Sequence, residues 1–136
     1  MFRILIADSS SLTAGRFRDM LSEIANVMVV GLCVSGEKAL ASLIELNPDL
    51  VLLDQSISDG GGIKILGEIK KHKPHTRIMM LLNFDSIKYR DKLKQSGADF
   101  VFFKSTELQQ IVEVVTNLSM MADINQSSGG EYVHTG

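Results

Sequence analysis

The sequence predicts an α/β fold, a single doubly wound (βα)5 sandwich around a five-stranded parallel sheet. Three observations predict it. Five short apolar runs recur along the chain, at Ile4–Ala7, Val27–Leu32, Leu50–Leu53, Ile78–Leu82 and Phe100–Phe103. The segments between them change to a helical period. Four of the five runs are nearly uninterrupted by polar residues, which suits strands covered on both faces. Right-handed crossovers fold such a string into a layered sandwich.

Length and composition agree with one domain. The chain has 136 residues, and domains cluster near ~100–150. It is 45% hydrophobic and 22% charged, which excludes wholesale disorder. Its formal net charge of −2 argues against direct nucleic-acid binding, which usually brings a strong basic excess. The single cysteine, Cys33, cannot form an internal disulfide and reads as a small buried residue. No apolar run approaches the ~20 residues of a membrane span, so no membrane contact is expected. The stretch before Asp8 is too short for a signal peptide. A reducing, cytoplasmic setting is the expectation.

Taken in order, the first run leads to Phe17, Met20, Leu21 and Ile24, spaced i, i+3, i+4, i+7 as on one helix stripe. The second leads to a stripe begun by Leu40, Leu43 and Ile44, with Asn47-Pro48 as its stop signal. The third run, with Asp54 just past its end, is followed by Gly62, Ile65, Leu66 and Ile69, stopped near Lys73-Pro74. The fourth helical segment, Ser86 to Ser96, is weak, with Ile87, Tyr89 and Leu93 its large apolar residues. The fifth carries Leu108, Ile111, Val112, Val115 and Leu118. Thr106-x-x-Gln109 before it fits a capping box. Asp123 to Gly136 is polar and glycine-rich. Residues 1–122 are therefore expected as the domain, and 123–136 as a flexible tail or shortened linker. His72, His75 and His134 lack metal-ligand spacing and read as surface residues. The methionines, Met79-Met80 and Met120-Met121 among them, read as core fillers.

In open α/β sheets, chemistry collects at the carboxyl ends of the strands. Asp8, Ser9, Ser10 and Ser11 follow the first run. Asp54, Gln55 and Ser56 follow the third, Leu82 and Asn83 the fourth, and Lys104 the fifth. Two carboxylates and a lysine thus converge from distant parts of the chain, with Asp54 as the expected reactive group. Neither a Walker-type loop nor a dinucleotide fingerprint occurs; Gly60-Gly61-Gly62 lies after the wrong strand.

Ile4-Leu5-Ile6-Ala7-Asp8, Pro48-Asp49-Leu50-Val51-Leu52-Leu53-Asp54, Gly97-Ala98-Asp99 and Phe102-Phe103-Lys104 together resemble the receiver domain of two-component response regulators, over about residues 2 to 122. The resemblance implies a CheY-like, flavodoxin-like sheet of order 2-1-3-4-5. It implies that Asp54 accepts a phosphoryl group from a sensor histidine kinase or phosphotransfer protein and that Lys104 contacts it. It also implies Mg2+ held by Asp8, Asp54 and the Ser56 backbone carbonyl. Partners or a second copy would use the face built from the fourth and fifth helices and the fifth strand. The chain would not be an enzyme beyond its own phosphorylation and dephosphorylation.

Several positions depart from the family. Ser9 replaces an expected acidic metal ligand, so weaker Mg2+ binding is expected. Leu82, with Asn83 next, stands where the family places the hydroxyl of its switch, and leucine cannot donate a hydrogen bond. Val101 replaces a switch aromatic. Ser58 and Ser105 stand where prolines are usual. These departures favour an alternative, a phosphorylation-independent pseudo-receiver serving interaction or dimerisation. A more distant alternative is a flavodoxin-like binder of a phosphate-bearing cofactor, cradled by Ser9-Ser10-Ser11 and Thr13 at a helix start. The basic clusters Lys70-Lys71-His72-Lys73 and Lys88–Lys94 read as solvated helix faces, and the second is a candidate contact for an acidic partner.

Overall fold

The computed structural model describes the backbone of residues 1–83 and 87–135, and side chains through Ala122 and at Ile124. Ser86, the expected start of the fourth helical segment, lies outside the described residues, as do Gly136 and the side chain of His134. The element order is β1 (Phe2–Ala7), α1 (Ser11–Leu21), β2 (Val27–Cys33), α2 (Gly36–Leu46), β3 (Leu50–Asp54), α3 (Gly61–His72), β4 (Arg77–Leu82), α4 (Ile87–Gln95), β5 (Phe100–Phe103) and α5 (Leu108–Thr135). The strands form one parallel sheet of order β2-β1-β3-β4-β5. Asp54 is the last residue of β3 rather than the first of the following loop.

The apolar residues of the inner strands pack into two layers, one on each face of the sheet. Leu5, Val51, Leu53, Met80 and Leu82 face Leu43, Ile65, Ile69 and Leu93 of α2, α3 and α4. Ile4, Ile6, Leu50, Leu52 and Leu81 face Phe17 and Leu21 of α1, and Ile111 and Val115 of α5. Alternate side chains therefore serve opposite cores, which is why the runs carry no polar alternation. All five residues of β3 are buried, and each large apolar one contributes about 1.5–3 kcal/mol on burial.

The helices correct the periodicity reading in places. Ile24 falls in the turn after α1, its N–H donating to Leu21 O at 3.1 Å. In α2 the inward residues are Gly36, Ala39 and Leu43, and Ile44 is 62% exposed. The small residues went uncounted, and the apparent stripe rotated with them. Gly36 must be small: a Cβ there would lie 2.5 Å from Ile65 Cδ1 and 2.7 Å from Ser58 O. Helix α5 starts two residues after Thr106, so the capping box does not form. Instead Glu107 O accepts from Ile111 N at 3.1 Å, and the Gln109 amide donates to Glu113 at 3.4 Å. The α5 backbone is helical through Thr135, across the stretch expected as a tail; residues 123–135 contain no proline to stop it. Met79 and Met80 are fully buried, but Met120 and Met121 are 57% and 53% exposed and are not core fillers.

Sheet-edge strand β2 carries no charged residue, and its pairing skips Val30 between Ile4↔Val29 and Leu5↔Gly31, as in a bulge. At the carboxyl end of the central strand β3, Gly62, the second residue of α3, lies against the loop after Asp54. A Cβ there would lie 2.6 Å from Met80 Cε and 2.8 Å from Gln55 Cα. Since backbone cannot yield as a side-chain tip can, Gly62→Ala is expected to lose about 2 kcal/mol of stability. Urea unfolding reads this; an unchanged midpoint would mean the loop gives way freely.

Candidate functional site

Register brings the site together. β1 and β3 are adjacent and parallel, with Ile6↔Leu52 and Ala7↔Leu53 paired, so Asp8 and Asp54 leave the sheet side by side. β5 is separated from β3 by β4, and neighbouring strands are about 4.8 Å apart. Only a long side chain bridges that gap. Lys104 follows β5, held by its N–H on Leu82 O at 2.9 Å. Its Nζ lies 2.6 Å from Asp8 Oδ2 and 2.8 Å from Asp54 Oδ1.

Asp8 and Asp54 are buried, at 3% and 2% side-chain exposure, and Lys104 is largely covered at 13%. The remaining oxygens are held locally. Asp8 Oδ1 accepts from Ser10 N–H at 2.9 Å, and Asp54 Oδ2 accepts from the Ser56 hydroxyl at 2.7 Å. Asp54 Oδ1 accepts no aligned hydrogen bond among the described residues, although the ammonium is beside it. It is an oxygen with open lone pairs, held by charge alone. Two carboxylates against one ammonium leave the site formally one charge negative.

The other expected residues lie around this centre. Ser9 and Asn83 are exposed. Ser56 is exposed as a residue while its hydroxyl turns to Asp54. Leu82 is fully buried and packs in the core layer under α2, α3 and α4, and Val101 lies in the same layer at 2% exposure. Among the described residues no group of three or more His, Cys, Asp and Glu gathers to hold a metal. The donors present are nonetheless hard oxygens, and the orphaned Asp54 Oδ1 fits a hard divalent cation. A recess of about 320 Å³ adjoins Lys104, lined by Thr13, Arg16, Phe17, Met20, Ser105 and Leu108.

Sequence reasoning missed the Ser56 hydroxyl, which it read only for its carbonyl. It also missed Arg90 and Glu107. Arg90 was grouped with the solvated basic face, yet its guanidinium lies 4.4 Å from the Phe103 ring centroid and pairs with Glu107. Lys88, Lys92 and Lys94 are exposed, as expected. Lys70 is tied down, its Nζ donating to Asp99 and Thr76 O at 2.9 Å each.

The family described as the response regulator receiver domain matches residues 4–116. The chain belongs to this family. The receiver is 30% identical over 117 residues to response regulator protein VraR of Staphylococcus aureus, a match covering 86% of this chain and 56% of that protein. It thus spans about half the length of the curated relatives it matches. Among solved structures, its fold is that of a LuxR-family two-component response regulator from Aurantimonas sp., with TM-score 0.81, 21% identity and coverage of 96% and 97% of the two chains. It is also that of the response regulator domain of Thermotoga maritima CheB, with TM-score 0.76, 24% identity and coverage of 90% and 96%. A Borrelia burgdorferi CheX-CheY-BeF3-Mg2+ complex shares the fold at TM-score 0.78 and 20% identity, over 86% and 88% of the chains. No helix among the described residues is long and apolar enough to cross a membrane.

Proposed function

We propose that this receiver accepts a phosphoryl group on Asp54 from a phosphohistidine of a sensor kinase or phosphotransfer protein, and so regulates a partner or output domain. The observation that carries the reading is the Lys104 ammonium shared between the buried carboxylates of Asp8 and Asp54. An Asp54 oxygen attacks phosphorus, the P–N bond breaks, and the departing imidazole nitrogen keeps the electron pair and takes a proton. Lys104 moves from neutralising two carboxylates to neutralising phosphoryl oxygens, a matter of position and charge rather than covalent help. Water later attacks the acyl phosphate, releasing phosphate and restoring the carboxylate. No external metabolite is turned over. The domain is taken as residues 1–122, with 123–136 as a tail or shortened linker, and the setting as cytoplasmic.

Asp8, Asp54 and the Ser56 carbonyl would hold Mg2+. When bound, the ion supplies charge neutralisation for the phosphoryl oxygens. With Ser9 in place of a carboxylate the site is one charge short. Ser9→Asp is expected to tighten Mg2+ binding roughly tenfold, since ligand charge count sets much of a hard-cation site's affinity. Calorimetric titration reads this; unchanged affinity would place the ion away from residue 9.

A second reading is favoured by Leu82. Fully buried and without a hydroxyl, it cannot follow a phosphoryl group, which suits a module working independently of phosphorylation. The cofactor-binding alternative loses support at α1. Its Thr13 N–H is taken by Ser10 Oγ at 3.2 Å and its Ala14 N–H by Ser10 O at 3.0 Å. Titration with beryllofluoride, a phosphoryl mimic, with and without Mg2+ and followed by amide shifts, separates the first two readings. Mg2+-dependent shifts centred on Asp54 and Lys104 support phosphoryl acceptance. A folded protein without shifts supports the independent module.

A further inference from the structure

Phe103, the residue before Lys104, is held twice by groups outside its own strand. Its N–H donates to Glu107 Oε1 at 2.9 Å, and its ring lies under the Arg90 guanidinium at 4.4 Å. The same Glu107 oxygen accepts from Arg90 Nη2, so one carboxylate joins α4 to the end of β5. Glu107 N–H returns to Phe103 O at 3.0 Å, closing the turn that carries Lys104. The Arg90 and Glu107 side chains are 25% and 19% exposed. Arg90 Nε is buried and finds no acceptor among the described residues. A guanidinium paired with a carboxylate, stacked on a ring and only a quarter exposed makes sense as a fixture of the turn and not as a surface charge.

We propose that Arg90 and Glu107 are positioning residues for Lys104: together they fix Phe103, so that the lysine stem leaves β5 on the course that puts its ammonium on Asp8 and Asp54. A long aliphatic chain reaching across β4 has many rotamers, and few of them place Nζ on both carboxylates. Fixing its root restricts that choice. Glu107 contributes by taking the Phe103 N–H, and Arg90 by holding Glu107 and covering the Phe103 ring. Because coupling is reciprocal, a displacement of α4 is felt at Lys104, and a displacement of Lys104 is felt at α4. That bearing on signalling rests on the phosphoryl-acceptor reading; the positioning itself does not.

The test follows the Lys104 side-chain ammonium in the 15N-labelled full chain, assigned by its loss in Lys104→Met. A held ammonium exchanges slowly with water and gives a resolved signal. In Glu107→Ala its exchange is expected to rise roughly tenfold, the effect of releasing about one hydrogen bond. In Glu107→Gln, whose amide oxygen still accepts the Phe103 N–H, the rise is smaller. Arg90→Met gives the same direction if Glu107→Ala does not fold. Core amides such as those of Leu52 and Leu66 report a general loss of stability and are expected to stay unchanged. The proposal is overturned if the folded variants keep wild-type ammonium exchange, or if every core amide accelerates equally. Beryllofluoride titration of the wild type reads the phosphoryl proposal separately, so either idea can fail alone.

Discussion

Lys104→Met is expected to lower folding stability by about 3 kcal/mol, because it leaves two buried carboxylates facing each other without a counter-charge. The three side chains are at most 13% exposed, so water does little to screen the repulsion. Methionine keeps most of the stem's volume, which separates the charge effect from a cavity. The companion variant Lys104→Met/Asp8→Asn removes one of the repelling charges and is expected to recover roughly half the loss, as coupled neighbours do. Urea denaturation reads both. A single variant as stable as the wild type would mean that the bridging ammonium carries little of the charge balance at this edge.

Asp54→Asn is expected to abolish the beryllofluoride response, an apparent affinity loss of at least about a hundredfold, or ~2.7 kcal/mol. Asparagine has the shape of the side chain it replaces, but its amide cannot take the mimic on an anionic oxygen. Lys104 keeps its 2.6 Å contact with Asp8, so the fold and the position of the lysine persist. Amide shifts that survived in Asp54→Asn would put the mimic elsewhere and remove Asp54 from its proposed role. Retention of the response in Asp8→Asn alongside would instead place the affinity at Asp54 and Lys104.

The sheet was legible because its inner strands are buried on both faces, so that β3 and β4 announce themselves as unbroken apolar runs. Asp8, Asp54 and Lys104 were legible because parallel strands bring their carboxyl ends to one edge. What misled was helix α4, where Leu93 is the one buried residue among those described in that helix. A long cationic side chain on so polar a helix reads as solvated, and nothing in its spacing says that Arg90 turns inward over Phe103. Glu107 escaped notice for the related reason that its partner comes from 17 residues away. Ile44 was misplaced because Gly36 and Ala39 define the inner face of α2 without the bulk that a hydrophobic stripe is read from. The strand order itself came from family resemblance, since parallel runs alone do not order themselves.

The irregular pairing at Val30 bears on how this edge of the sheet would meet another strand. The flank of the sheet formed by Val27–Cys33 offers backbone donors and acceptors with no lysine or glutamate to repel an incoming chain. Met28 and Leu32 add apolar side chains, 42% and 37% exposed, to the same flank. A straight ribbon of that composition would be a template for growth into fibrils. The extra residue bends the ribbon partway along and spoils its match to a straight neighbour. In this strand, geometry takes over the guarding that charge performs elsewhere.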